Sequence, residues 1–124
     1  MSTPIASVEA IVLADIHGRI QHWSSGAEQL FGYPKSEAEG QLLDLIIPEE
    51  YRGKHWEGFH SAMATGVSRL HGAATNIPVR CRDGNVRLFP ARLVLIKYAR
   101  DCPVGAMGIF ATPSGQERLF GPIV

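Results

Sequence analysis

The chain has 124 residues, 45% of them hydrophobic and 19% charged, with twelve basic and twelve acidic side chains in balance. That length suits one domain, burying roughly two thirds of its unfolded surface, and the composition lies close enough to the globular average to exclude a disordered chain. A neutral total gives no electrostatic reason to expect nucleic acid or an anionic membrane as partner, and with no span of ~20 apolar residues and no signal-type leader a cytoplasmic protein is expected.

Ala10 to Ala14 form an apolar run that predicts a strand. Asp15-Ile16-His17-Gly18 reads as a turn, and Arg19 to Trp23 alternates polar and apolar as a half-buried partner strand should, which makes a hairpin. Ser24 or Ser25 then supplies an N-cap, with Glu28 in capping-box reach of Ser25, and Ala27, Leu30 and Phe31 give a short helical stripe ended by Gly32. Tyr33-Pro34 blocks continuation, and Ser36 to Glu39 reads as a second capped turn closed by Gly40. Leu42, Leu43, Leu45, Ile46 and Ile47 are an apolar knot expected to be buried. Pro48 at a first helical position, followed by Glu49 and Glu50 near the positive end of the dipole, starts a long helix that runs to Gly66. Tyr51, Trp56, Phe59, Ala62 and Met63 recur on one face, with His55 on or beside it.

From Val67 the period changes to two. Ile77, Val79 and Cys81 alternate with polar residues, Asp83-Gly84 is a hairpin turn, Val86 to Ile96 makes a second strand and Val104 to Ala111 a third. Pro90 is expected at a bulge or at a locally unpaired edge. Cys81 and Cys102 form no CxxC pair and are expected as strand residues with free thiols. The stretch from Pro113 to Val124 carries Leu119, Phe120, Ile123 and Val124 and packs on the sheet, on a second subunit or on nothing.

Two strands, short helices ending in one long helix, then three strands is the element order of PAS domains. The words agree: Asp15 to Ile20 followed by Trp23-Ser24-Ser25-Gly26-Ala27-Glu28-Gln29-Leu30-Phe31-Gly32-Tyr33 resembles the family's turn and its W/N-x-x-A-x-x-L-F-G-Y signature. Leu42 to Pro48 resembles its L-x-P segment and Arg82-Asp83-Gly84 its R-x-D-G hairpin. The resemblance implies an α+β fold, a five-stranded antiparallel sheet with helices packed on one face (β-β-α-α-α-α-β-β-β). Residues 8–112 would form the PAS domain, between an amino-terminal extension at 1–7 and a tail at 113–124. It also implies a sensory rather than catalytic role, with the signal passed through a homodimer or a partner protein.

The stretch Tyr51-Arg52, His55 and Met63-Ala64-Thr65-Gly66 resembles the heme PAS domain of oxygen-sensing histidine kinases in residue type and spacing. That resemblance implies heme b as cofactor for gas or redox sensing. It makes His55 the proximal iron ligand, a role that suits a neutral imidazole held on a helix, and Leu70, Leu93 and Leu95 an apolar distal wall. The arginines of that family fall near Thr75 and at Ser61 here, leaving Arg69, His71 or Arg80 as cations that would have to stand in. Flavin photochemistry is excluded by the lack of a cysteine between Phe31 and Gly40.

His60, five residues after His55, points off its face and is expected at the surface. His17 and His22 belong to the first hairpin, and His71 is a second candidate at a pocket mouth. Trp23, Phe31 and Trp56 read as core or interface aromatics. Glu28, Asp44 and Glu57 read as isolated carboxylates on helix surfaces, and no nucleophile, phosphate-binding or metalloprotease motif is present, so no catalysis is expected. Against heme stand two alternatives: a cofactor-free interaction or dimerisation module, and a cavity for another small metabolite.

Overall fold

The computed structural model describes residues 8–68, 72, 74–99 and 102–113. Leu70, Arg69, His71 and the tail from 114 onward lie outside the described residues. The elements are β1 (Glu9–Asp15), β2 (Ile20–Trp23), α1 (Ser25–Phe31), α2 (Lys35–Ala38), α3 (Arg52–Thr65), β3 (Ala74–Arg80), β4 (Val86–Ala99) and β5 (Cys102–Ala111), with single 3-10 turns at Leu43–Leu45 and Glu49–Tyr51. The strands make one antiparallel sheet in the order β2-β1-β5-β4-β3. This is the five-stranded α+β architecture expected from the sequence.

Register sorts the side chains into two faces, because residues directly opposite each other in an antiparallel pair share a face. Val12, Gly108 and Leu93 form one row across three strands, and Ala14, Ala106 and Leu95 the next. Ala10, Phe110, Ala91 and Thr75 form a third row, with Ile77 opposite Phe89 beyond it. This is the helix-side face. Phe31, at the end of α1, meets it directly: its ring centroid lies 5.0 Å from Phe89 and 5.1 Å from Phe110, both edge-on, and 5.6 Å from Trp23. Edge-to-face contacts at these spacings suit the ring quadrupoles as well as burying area.

The helix reaches the sheet this closely because Gly26 has no side chain. A Cβ there would stand 1.8 Å from the Glu9 carbonyl oxygen. Ser24 caps α1, its hydroxyl oxygen accepting from the Ala27 amide at 3.2 Å and from the Ile11 amide at 2.8 Å. The capping box expected between Ser25 and Glu28 does not form. Once Ser24 is the cap, Glu28 lies one residue too far on, and its carboxylate instead accepts from the Lys35 amide at 2.6 Å.

Four further expectations change. Ile20 and Trp23 are three residues apart and should face opposite ways in a regular strand, yet both are buried. A bulge resolves this: Leu13 pairs with His22 and Ala14 with Ile20, leaving Gln21 unmatched and turning both apolar residues inward. The long helix starts later than Pro48, because Glu49–Tyr51 winds as a 3-10 turn before Arg52. The apolar knot is not buried throughout: Ile46 is buried, Leu42 is exposed, and Leu43, Leu45 and Ile47 lie between. Cys81 is buried but stands one residue past β3, while Cys102 opens β5 and is exposed. Pro90 is paired with Asn76 of β3, and the pairing with β5 begins only at Ala91, so the proline occupies a point where β4 has a free side.

Phe31→Ala removes the ring that joins α1 to three strands. A loss of about 3–5 kcal/mol is expected, read from the urea midpoint with an unchanged slope; a loss below about 1 kcal/mol would contradict the hub role.

Candidate functional site

The start of α3 is fastened to the segment before it. Arg52 donates from Nε to the Ile47 carbonyl at 3.1 Å and from NH2 to the Asp44 carbonyl at 3.1 Å. One turn later Trp56 donates from Nε1 to Asp44 Oδ1 at 2.6 Å. Its ring lies over the turn between β1 and β2. A Cβ on Gly18 would come within 2.2 Å of that ring, and Gly18 has φ +82°, so glycine is required there on two counts. The same turn is tied to residues 40–43: Leu43 donates to the Gly18 carbonyl at 2.9 Å, Ile20 to Gln41 at 2.8 Å and Gly40 to Ile20 at 2.8 Å. These bonds also cover the outer edge of β2.

Between Arg52 and Trp56 stands His55. α3 lies against β5, and its buried residues are Phe59 and Ala62, with His55, Trp56 and Met63 half-buried beside them. The His55 ring contacts Trp56 at 4.8 Å, edge-on, and Phe59 at 5.9 Å. Its Nδ1 is buried and accepts or donates no hydrogen bond among the described residues. Burial pushes the imidazole down to about 4; the Asp44 carboxylate pulls the other way and His60 adds a smaller push downward. At neutral pH His55 is therefore an uncharged imidazole with a ring nitrogen left unpaired in an apolar layer, an uncommon state for a buried polar atom.

Of the other residues singled out from sequence, Leu93 and Leu95 are half-buried on the helix-side face of β4, in rows with Gly108 and Ala106. The small residues of β5 leave that part of the face to the two leucines. At Gly108 the space a Cβ would take is filled by the Phe110 ring at 2.7 Å and approached by Leu93 Cδ2 at 3.5 Å. Thr75 shares this face on β3, whereas Ser61 is exposed and accepts through its carbonyl from Thr65 Oγ1 at 2.8 Å. Arg80 is exposed two positions of even parity away from Pro78, on the opposite face from Val79, and so cannot stand in for a distal cation. His60 is exposed and stacks on Trp56 at 5.6 Å. His17 is exposed and His22 pairs with Leu13 on the far face. Among the described residues no three His, Cys, Asp or Glu side chains gather into a metal cage.

Asp44 is the residue that pattern reasoning misplaced. Read as a lone carboxylate on a helix surface, it is half-buried and carries the Trp56 bond. The available signal was its position: one carboxylate inside Leu42 to Ile47, a run otherwise wholly apolar, has to find a donor if the run is buried.

Two other surfaces are of note. A groove of about 490 Å³ lies at the end of α1 beside the β3–β4 turn, with Leu30, Phe31, Gly32 and Cys81 along it and Arg82 and Arg87 at its rim. Arg82 is paired with Glu37 at 2.7 Å and Arg87 with Asp83 at 2.7 Å, so neither cation is free for an anion. Burial pushes the Cys81 thiol up, against the nearby Arg87, which leaves it protonated and a poor nucleophile. The face of the sheet away from the helices carries Ile11, Leu13, Val94, Ile96, Met107 and Ile109, all half-buried, beside His22 and the exposed Arg92.

The model of the family described as "PAS fold" matches residues 6–111. The chain is 33% identical over 85 residues to the "Sensor protein FixL" of Bradyrhizobium diazoefficiens, covering 68% of this chain and 16% of that protein. It is 27% identical over 74 residues to the "Oxygen sensor protein DosP" of Escherichia coli, covering 60% of this chain and 9% of that one. The chain thus spans a small part of the curated relatives it matches. Among solved structures, the PAS domain of a protein from Colwellia psychrerythraea superposes with a TM-score of 0.72 at 27% identity, over 87% of this chain and 88% of that one. No described helix is long and apolar enough to cross a membrane.

Because the folded-state value of His55, about 4, lies below the model-peptide value of 6.5, the unfolded chain binds more protons between them, and stability falls as pH drops through that window and levels off below it. The pull is about 3 kcal/mol at most. Denaturation midpoints of wild type and His55→Phe followed from pH 7 to 4 should diverge in slope, wild type falling more steeply. Parallel curves would show that His55 protonates freely in the folded protein.

Proposed function

This chain belongs to the PAS family, and on that premise we propose that it is a sensory domain that binds heme b through His55, for gas or redox sensing. Its signal passes to a second copy or to a partner protein. The observation that carries the reading is His55 itself: a neutral imidazole with an unpaired, buried ring nitrogen, on the stripe of α3 that packs toward the sheet. Axial ligation of iron needs the neutral ring, so the residue present fits the group. His55 would hold the iron, and Leu93 and Leu95 would wall the site from β4. When bound, heme would supply an iron centre able to take a small neutral gas.

What this chain's own side chains do is hold the imidazole. Arg52 and Trp56 fix the first turns of α3 against Asp44 and Gly18, so the His55 backbone has little freedom to swing. Phe59 packs against the ring from the next turn. The apolar leucines keep the opposite side dry, which favours an uncharged ligand over an anion. The printed names of two relatives, a sensor protein and an oxygen sensor protein, agree with this reading.

A second reading, an interaction module without cofactor, has one observation of its own. The open sheet face carries six half-buried apolar residues across its three central strands, which suits a dimer or a docked partner. Titrating purified protein with hemin separates the two. The heme reading expects a saturable Soret band that shifts on reduction and with carbon monoxide and is lost in His55→Ala. A folded protein with no such band leaves the interaction reading in place.

A further inference from the structure

The middle of α3 is a glycine that packing does not require. Gly58 is helical and exposed, and a Cβ there would meet nothing within 4 Å. Inside a helix, glycine is the poorest former after proline, because its backbone has the most freedom to regain on unwinding. Its position also divides α3 by how each part is held. Residues 52–57 are fastened by direction, Arg52 to the Ile47 and Asp44 carbonyls and Trp56 to the Asp44 carboxylate. Residues 59–65 rest on apolar contact alone: Phe59 and Ala62 are buried and Met63 is half-buried. Their side-chain hydrogen bonds stay local among the described residues, with Thr65 Oγ1 donating to the Ser61 carbonyl at 2.8 Å and accepting from the Val67 amide at 3.2 Å. Besides the helical backbone, the contacts across Gly58 are between rings. Phe59 lies 5.9 Å from His55 and 5.4 Å from Trp56, and His60 stacks on Trp56 at 5.6 Å.

We infer that α3 opens at Gly58: residues 59–65 leave the sheet as a flap, while residues 52–57 stay fastened with His55 among them. Local opening of this kind draws on segments with few buried apolar contacts and solvent-exposed backbone bonds. α1 is the contrast, capped by Ser24 and set against Glu9 at Gly26. The consequence runs through Phe59, whose ring covers the imidazole from the next turn. When it leaves, His55 and the stretch of β5 under α3 are bared from one side, and His55 itself does not move. A small ligand then meets a ring nitrogen already in place, which spares the ordering cost of binding. The flap belongs to the protein alone; its part in ligand entry rests on the reading of His55 as an axial ligand.

Amide hydrogen exchange, followed by NMR on protein without hemin, tests the flap. In a helix the amides of residues 62–66 bond to acceptors at 58–62, so all five lie within the half that opens. They should be less protected than the amides of β1 and β5. Gly58→Ala should slow them about fivefold, which corresponds to about 1 kcal/mol. Phe31→Leu, remote from α3, should speed the amides of β1 and β5 and leave these five unchanged. Protection equal to that of β1 and β5 in wild type, or the same acceleration in Phe31→Leu, would mean that α3 opens only with the whole domain and overturns the inference. Hemin uptake tests the entry role: Gly58→Ala should take it up about fivefold more slowly and reach the same final Soret band. Equal uptake rates beside slowed exchange overturn that role. A wild type that takes up no hemin removes the heme reading, and the exchange pattern still decides the flap.

Discussion

One aromatic ring organises this fold. Phe31 stands at the last turn of α1 and meets Phe89, Phe110 and Trp23, residues contributed by β4, β5 and β2. Because β1 and β5 pair at the centre of the sheet, the ring bridges the two hairpins that the chain makes at its beginning and its end. The contact is possible only because α1 approaches β1 at Gly26 with no side chain between them. Given that docking, the segment after α1 crosses over the sheet through α2 and two 3-10 turns before α3 begins.

That crossing sets the second constraint, which is how α3 is held. Its buried stripe is narrow, so apolar burial alone would leave the helix loosely placed. Directional bonds make up the difference. Arg52 takes two carbonyls of the preceding segment and Trp56 takes the Asp44 carboxylate while the edge of its ring meets Gly18. Hydrogen bonds from neighbouring donors fix rotation about the helix axis in a way that a smooth apolar contact does not. His55 is carried along by this arrangement, and its burial and neutrality follow from it.

The division of labour among the polar groups is clear in the same region. Arg82 and Arg87 are occupied by Glu37 and Asp83 at the surface, where exposed pairs contribute little. His55 carries the one buried polar side-chain atom without a partner among the described residues, its ring Nδ1. The open face of the sheet carries apolar residues of its three central strands together with His22 and the exposed Arg92.

Much of the architecture was legible in the residues. Period-two runs, the Asp83-Gly84 turn and the glycines at 32 and 66 mark where elements start and stop, because those signals are local and depend only on backbone sterics and alternate burial. His55 was also legible, through its spacing from Tyr51 and from Met63. What could not be read were the features that join distant segments. The bulge at Gln21 exists because Ile20 and Trp23 must both face a core built by strands β4 and β5. The first turn of the long helix is tighter than expected because Arg52 reaches back to Ile47 and Asp44. Asp44 acquires its role from a tryptophan twelve positions away. The sequence by itself determined which segments are strands and helices and which histidine stands on the apolar stripe. Only the tertiary structure decided what that histidine faces, since a side chain's partners depend on the packing of elements whose contacts are not local in the chain.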